Sequence, residues 1–204
     1  MKAIKMLALA MGLCVMTSYV APAQEPAVDP TEETEAPKKS KKKKDKKKKK
    51  AKAGAVAKAL KKVKRATGKV NQNALVYIYL QSASWCGPCK QAMPGIVEQY
   101  KEMRKDGRAE IVLVGWDQSP DGVKSYIEGY KCKMPAVHKD AKNVSKLPGF
   151  SPAQGIPFVI MVDAEGNVLQ QGSPFVVDKW KAEVEKLEAA AAAQDAEGNE
   201  EEES

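Results

Sequence analysis

Several things that would each point elsewhere are scarce in this chain. Aromatic residues make up 6% of it, and none falls between Gln24 and Ala74. A lysine-rich stretch lies inside that gap. It offers no ring on which a base could stack, which argues against sequence-specific nucleic-acid recognition. There is one histidine, His138, and a lone histidine reads as a surface or loop residue rather than a catalytic base. There are four cysteines, one of them Cys14 near the N-terminus. The other three, Cys86, Cys89 and Cys132, cannot form a structural disulfide framework. Beyond the first two dozen residues no apolar run approaches the ~20 residues of a membrane span.

The first 23 residues read as an address. Lys2 and Lys5 give a positive start, Met6 to Val20 is apolar with a few small polar residues, and Ala21-Pro22-Ala23 is a small-residue cleavage pattern before Gln24. This is the pattern of a secretory signal peptide, with a retained N-terminal anchor as the alternative. Either way the rest of the chain is expected across the cytoplasmic membrane, in the periplasm or cell envelope. Cleavage also removes Cys14.

Charge divides the remainder. Residues 24–37 are rich in Pro and Glu and read as a linker without a core. Lys38 to Arg65 holds sixteen lysines and one arginine against Asp45 alone. Lys38 to Lys50 repels itself and has nothing apolar to bury. Ala51 to Arg65 differs, because Val56, Leu60 and Val63 recur at i, i+4, i+7 and give a basic helix a thin apolar stripe. That stripe suits packing on a domain, or lying on an anionic surface such as lipid or an envelope polymer. Ala66 to Ala190 is nearly neutral and is expected to be the folded domain. Residues 191–204, with Asp195, Glu197 and Glu200 to Glu203, read as an acidic disordered tail.

Within the domain, Leu75 to Leu80 and Ile111 to Trp116 read as buried strands. Ser119 is a helix N-cap with Pro120 behind it, opening a helix to Tyr130. Met134 to Val137 is a short strand. Phe158 to Val162, the turn Asp163 to Asn167, and Val168 to Gln170 form a hairpin. Val176 to Ala193 closes the domain as a helix, with Val177, Trp180, Val184 and Leu187 on one side. This order predicts an α/β fold, a central mixed sheet flanked by helices on both faces.

The chemistry concentrates at Trp85-Cys86-Gly87-Pro88-Cys89, between the first strand and a helix over Lys90 to Lys105. Cys86 is placed at a helix start, where unpaired N–H groups and the helix dipole favour a thiolate. A cysteine so placed has its pKa lowered from ~8.5 to ~7 or below. Cys86 is then the attacking thiol, and Cys89, one turn inside, is the resolving thiol. Trp85 shapes the surface beside the sulfur. Cys86, Cys89, Cys132 and His138 would make four zinc ligands on paper. Gly87-Pro88 at a helix start suits disulfide closure better, so no metal and no cofactor is implied. Cys132, between Lys131 and Lys133, reads as a partly buried, unreactive thiol, with a regulatory role as the alternative.

These residues, with Pro94 five positions after Cys89 and Gly155-Ile156-Pro157 before the hairpin, resemble the thioredoxin superfamily. Ser82 to Cys86, Met134 to Val137 and Val162 to Val168 resemble its tryparedoxin and nucleoredoxin branch, and also bacterial envelope thioredoxins of the TlpA and ResA type. The resemblance covers roughly Leu75 to Leu187. It implies a thioredoxin-like fold and a cis Ile156–Pro157 bond facing the cysteines, with Ile156 and Pro157 positioning a substrate chain along an open strand edge. It further implies protein-disulfide oxidoreductase activity, tilted towards reduction by Gly87-Pro88. Protein thiols and disulfides would be the substrates, and another protein the electron donor. Two positions depart from the pattern. Leu80 stands where thioredoxins carry a buried acid, and Ala136 stands where tryparedoxins carry a tryptophan after Met-Pro. The alternative function is a surface-tethered binding module in which the lysine arm does the work and the cysteine pair is not essential.

Overall fold

A computed structural model describes residues 53–200, with side chains to 194. The leader, the linker and the lysine run expected over residues 1–50 lie outside the described residues, as do the last acidic residues, 201–204.

The strand that carries the site explains the layering. β2 (Val76–Ser82) is buried along its whole length. Val76, Ile78 and Leu80 enter one core; Tyr77 and Tyr79 enter the other. A strand covered on both faces has to be a near-continuous apolar run rather than an alternating one. The two tyrosines still satisfy their polar tips: Tyr77 donates to the Asn71 carbonyl and Tyr79 to that of Pro148, each at 3.0 Å.

Around β2 the described residues form a six-stranded sheet. Its other strands are β1 (Arg65–Thr67), β3 (Ala109–Gly115), β4 (Ala136–His138), β5 (Phe158–Asp163) and β6 (Val168–Gly172), in the order β1-β4-β3-β2-β5-β6. β2, β3 and β4 run parallel; β5 is antiparallel to β2, β6 to β5, and β1 to β4. The two parallel steps use α2 (Gly87–Asp106) and α3 (Pro120–Gly129). Both crossovers step the same way along the sheet, so their shared hand puts both helices on one face. α4 (Trp180–Glu200) joins them there, through Trp180 and Val184. α1 (Ala55–Lys61) covers the other face. The mixed sheet with helices on both faces is thus observed.

Local signals hold where they are strong. The Ser119 hydroxyl caps α3 by accepting from the Gly122 N–H at 3.1 Å. α2 ends at Gly107, whose φ of 84° only glycine takes at little cost, and its N–H reaches the Met103 carbonyl at 2.7 Å. In the β5–β6 turn one carboxylate oxygen of Asp163 accepts from the backbone N–H groups of Glu165, Gly166 and Asn167 at 2.9, 2.7 and 2.9 Å.

Of the two readings of the stripe of Val56, Leu60 and Val63, packing on the domain is the one observed: it is buried against the sheet. Without it the Tyr77 and Tyr79 face would stand open. The packed residues therefore begin ahead of the Ala66 boundary. β1 was not foreseen, because three residues with one exposed cation carry no period. Val176 to Lys179 lies in a 3₁₀ turn, Pro174–Lys179, and α4 begins only at Trp180. At its other end α4 runs on to Glu200, past the helix end expected at Ala193 and into the stretch read as a disordered tail.

Candidate active site at the head of the second helix

β2 ends at Ser82, and four residues later Cys86 is the N-cap of α2. Its φ of −83° and ψ of 114° are extended, as a cap requires, and its sulfur takes the place of a capping oxygen. Cys86 Sγ accepts from the Cys89 N–H at 3.2 Å. Gly87 and Pro88 occupy the first helical positions, where a missing N–H is no loss. Cys86 and Cys89 are joined by a disulfide with their Cα atoms 5.2 Å apart. Cys86 is 6% exposed and Cys89 1%. Both residues are thus buried, Cys86 slightly the less so.

The Ile156–Pro157 bond is cis. The Ile156 carbonyl oxygen lies 3.7 Å from Cys86 Sγ, so it stands ready to accept from the thiol form. Ile156 packs on the cysteine pair together with Trp116. Trp85 is 62% exposed, and its indole N–H donates to the Trp116 carbonyl at 3.3 Å, which pins the ring beside the sulfur.

Sequence reading missed the supports of this loop. The Ser84 N–H and hydroxyl both donate to one Asp117 carboxylate oxygen, at 3.0 and 2.5 Å. The other Asp117 oxygen is buried without a partner among the described residues. The Asp117 carbonyl accepts from His138 Nε2 at 2.9 Å, and His138 Nδ1 accepts from the Asp140 N–H at 3.2 Å. That second bond assigns the proton to Nε2. His138, read as a surface or loop residue, is instead buried at the end of β4. Gln81 is also buried; its amide donates to the Ser151 carbonyl and accepts from the Ala153 N–H, each at 2.9 Å. It ties β2 to the segment that leads into Ile156-Pro157. The Ser84–Asp117 contact follows from register: β2 and β3 pair in parallel with Ser82 opposite Gly115, and Ser84 and Asp117 each lie two residues further on.

With this geometry in hand, the likeness to known proteins has a structural meaning. A family model of thioredoxin-like proteins matches residues 55–168. The chain belongs to the thioredoxin-like family. It is 30% identical over 105 residues to probable nucleoredoxin 1 of Arabidopsis thaliana, covering 50% of this chain and 18% of that one. It is 28% identical over 88 residues to the thiol-disulfide oxidoreductase ResA of Bacillus thuringiensis, covering 43% and 49%. Among solved structures, thioredoxin from Wuchereria bancrofti is 30% identical with a TM-score of 0.48, covering 64% of this chain and 94% of that one. The chain thus spans from 18% to 49% of the length of these two curated relatives.

Within this thioredoxin-like frame the two departures have definite settings. Leu80 is fully buried in the core under α2, so no carboxylate enters at that point of β2. Ala136 opens β4 and is fully buried. Cys132 lies apart from the reactive pair, half-buried between α3 and β4. Burial pushes its thiol up; the backbone N–H groups of Met134 and Lys133 and the nearby Lys101 pull back only in part. The lysines beside it in sequence do not make it a thiolate.

Proposed function

We propose that this chain is a thiol–disulfide oxidoreductase that reduces protein disulfides in the cell envelope through the Cys86–Cys89 couple. The observation that carries the reading is the disulfide itself: a bonded pair at a helix start, with the outer sulfur held by an N–H and flanked by the Ile156 carbonyl. The likeness of the chain to nucleoredoxin and ResA sequences supports the same chemistry.

In the reduced enzyme the Cys86 thiolate attacks one sulfur of a substrate disulfide. A Cys86–substrate bond forms and the substrate's own sulfur–sulfur bond breaks, releasing one substrate thiolate. The Cys89 N–H and the α2 dipole stabilise the attacking anion. Cys89 then gives up its proton, attacks Cys86 Sγ, and releases the second substrate thiolate. Two electrons have passed from the dithiol to the substrate. A dithiol protein of lower potential returns them by the reverse exchange. The exposed Trp85 and the Ile156-Pro157 segment orient the substrate chain at the sulfur.

The expected leader over residues 1–23 supports an envelope location, and the lysine run of Lys38 to Arg65 serves as a tether to an anionic surface. Tethering predicts vesicle binding that falls steeply with salt. For the chemistry, Cys89→Ser traps substrates as mixed disulfides on Cys86, read as reducible adducts on gels. Equilibration of the Cys132→Ser protein in thiol–disulfide buffers then sets the direction. A potential near roughly −270 mV fits a reductase, and one near roughly −120 mV would make the protein an oxidant. A pair that does not cycle would end the proposal.

A further inference from the structure

Phe175, 80% exposed, walls a groove that adjoins Pro88 and belongs with the reactive pair. A second cavity has no such connection. It encloses about 870 Å³ between the end of β1, the foot of α2 and the turn from α3 into β4. Arg104 in its wall stands eighteen residues along α2 from Cys86, roughly 27 Å at 1.5 Å per residue. Three segments bring charge into it. Gly68, with a φ of 74°, turns the chain so tightly that a Cβ there would collide with the Pro135 backbone, and Lys69 follows it. The Tyr100 hydroxyl on α2 donates to the Lys133 carbonyl at 3.1 Å and fixes that backbone to the helix. Lys131 closes α3 with a φ of 51°, its N–H donating to the Glu128 carbonyl at 2.8 Å. Glycine ordinarily fills that left-handed position, and a lysine there carries backbone strain.

The lining holds Lys69, Arg104, Lys131 and Lys133 against one acid, Glu128. Glu110 engages Arg104 at 3.2 Å, and Lys124 engages Glu128 at 3.8 Å. Among the described residues Lys69, Lys131 and Lys133 have no ion-pair partner. Offsetting the terminal carbonyls of α3 would account for one lysine, not for cations drawn from three segments onto one concave surface. A bound anion would relieve their mutual repulsion. We infer that this cavity is an anion site, and that it takes a multiply charged phosphate group carried by a soluble compound or by a lipid head group. Its size lies in the range of small-molecule sites, ~300–1,000 Å³. Several ammonium groups and a guanidinium suit an oxyanion with many acceptor oxygens better than a single carboxylate. The site stands independently of disulfide exchange at Cys86.

Cys132 lies in the lining and is the free thiol among the described residues while Cys86 and Cys89 stay bonded. Its labelling by a neutral maleimide, in the oxidised mature protein, therefore reports on the cavity and not on the lysine arm. One probe is tripolyphosphate; the other is vesicles of phosphatidylglycerol, compared with vesicles of phosphatidylcholine. At constant ionic strength a saturating probe should slow labelling by about tenfold, since an anion beside the thiol both shields it and holds back its ionisation. Lys131→Gly and Lys133→Gln should each raise the half-saturating concentration by about fivefold, the loss of one exposed charge contact. Lys131→Gly should also raise Tm by about 4 °C, because it relieves the left-handed lysine, so its weaker binding would not come from a weaker fold. Slowing by tripolyphosphate supports a soluble phosphate compound as the ligand, and slowing by phosphatidylglycerol vesicles alone supports a lipid head group. Labelling that ignores both probes, or that sodium chloride slows as much at the same ionic strength, would overturn the site. So would a half-saturating concentration that neither variant moves, since the anion would then be held by the lysine arm.

Discussion

The two ends of α2 close in different ways. At its head the cap is a sulfur: Cys86 Sγ takes the Cys89 N–H, and the same atom is half of the disulfide. At its foot the cap is Gly107, backed by a polar network. Asn71 donates its side-chain N–H to the Gly107 carbonyl at 2.8 Å and its backbone N–H to the buried Glu110 carboxylate at 2.6 Å, and Arg104 reaches Glu110 at 3.2 Å. One end places the structural bond on the reactive atom, so the helix start and the redox chemistry change together. The other end uses groups with no exposed, reactive atom and holds the sheet to the helix. Stability and chemistry are thereby given to opposite ends of one element, and that separation can be attacked from either side.

The largest expected effect is at the head. Cys86→Ser should lower disulfide exchange by more than about a thousandfold, measured with a protein disulfide substrate, because the proposed attacking thiol is removed. Serine is also a good N-cap, so the variant should match the reduced wild type in stability to within ~0.5 kcal/mol. A large loss of stability against the reduced protein would show that sulfur does more for the fold than capping. Met103→Ala acts at the foot. Met103 is fully buried in the α2-side core, and its truncation should cost about 2–5 kcal/mol in denaturant melts. Exchange rates at temperatures where both proteins are folded should not move.

Gly107→Ala should cost less, about 1–2 kcal/mol. A Cβ there meets nothing within 4 Å, so the cost is the left-handed backbone alone. The smallest effect is a pH dependence. Burial pushes the Glu110 carboxyl above its ordinary value of 4.5, against the pull of the Asn71 N–H and Arg104. For a raised group the stabilising contribution is complete below the ordinary value and is lost as pH rises through the raised one. Wild type should therefore lose stability relative to Glu110→Gln as pH rises above about 4.5. Parallel melting curves across that range would show Glu110 to be ionised and paid for by its partners throughout.

Much of this was readable in advance wherever one element carries its own signal. Ser119 and Pro120 open α3, Asp163 to Asn167 turn the hairpin, and Trp85 to Cys89 mark the helix start, since each depends on residues within a turn of one another. His138 was misread because a lone polar residue after a short strand has no period of its own; its burial follows from β4 lying beside β3, where the Asp117 carbonyl waits. Phe175 was passed over because it falls between the expected hairpin and the helix expected from Val176, in a stretch given no element of its own.

Composition and spacing along the chain were enough for the cysteine pair, its helix, the buried strand before it and the polarity of charge from arm to tail. Strand order and register supplied the rest. They bring Ser84 to Asp117, Gln81 to the segment ahead of Pro157, the α1 stripe to Tyr77 and Tyr79, and Phe175 to Pro88. The physical reason is range. Capping, turn geometry and helical period are settled by neighbours a few residues apart, whereas contacts between residues more than a dozen positions apart exist only once the sheet has chosen which strands lie side by side.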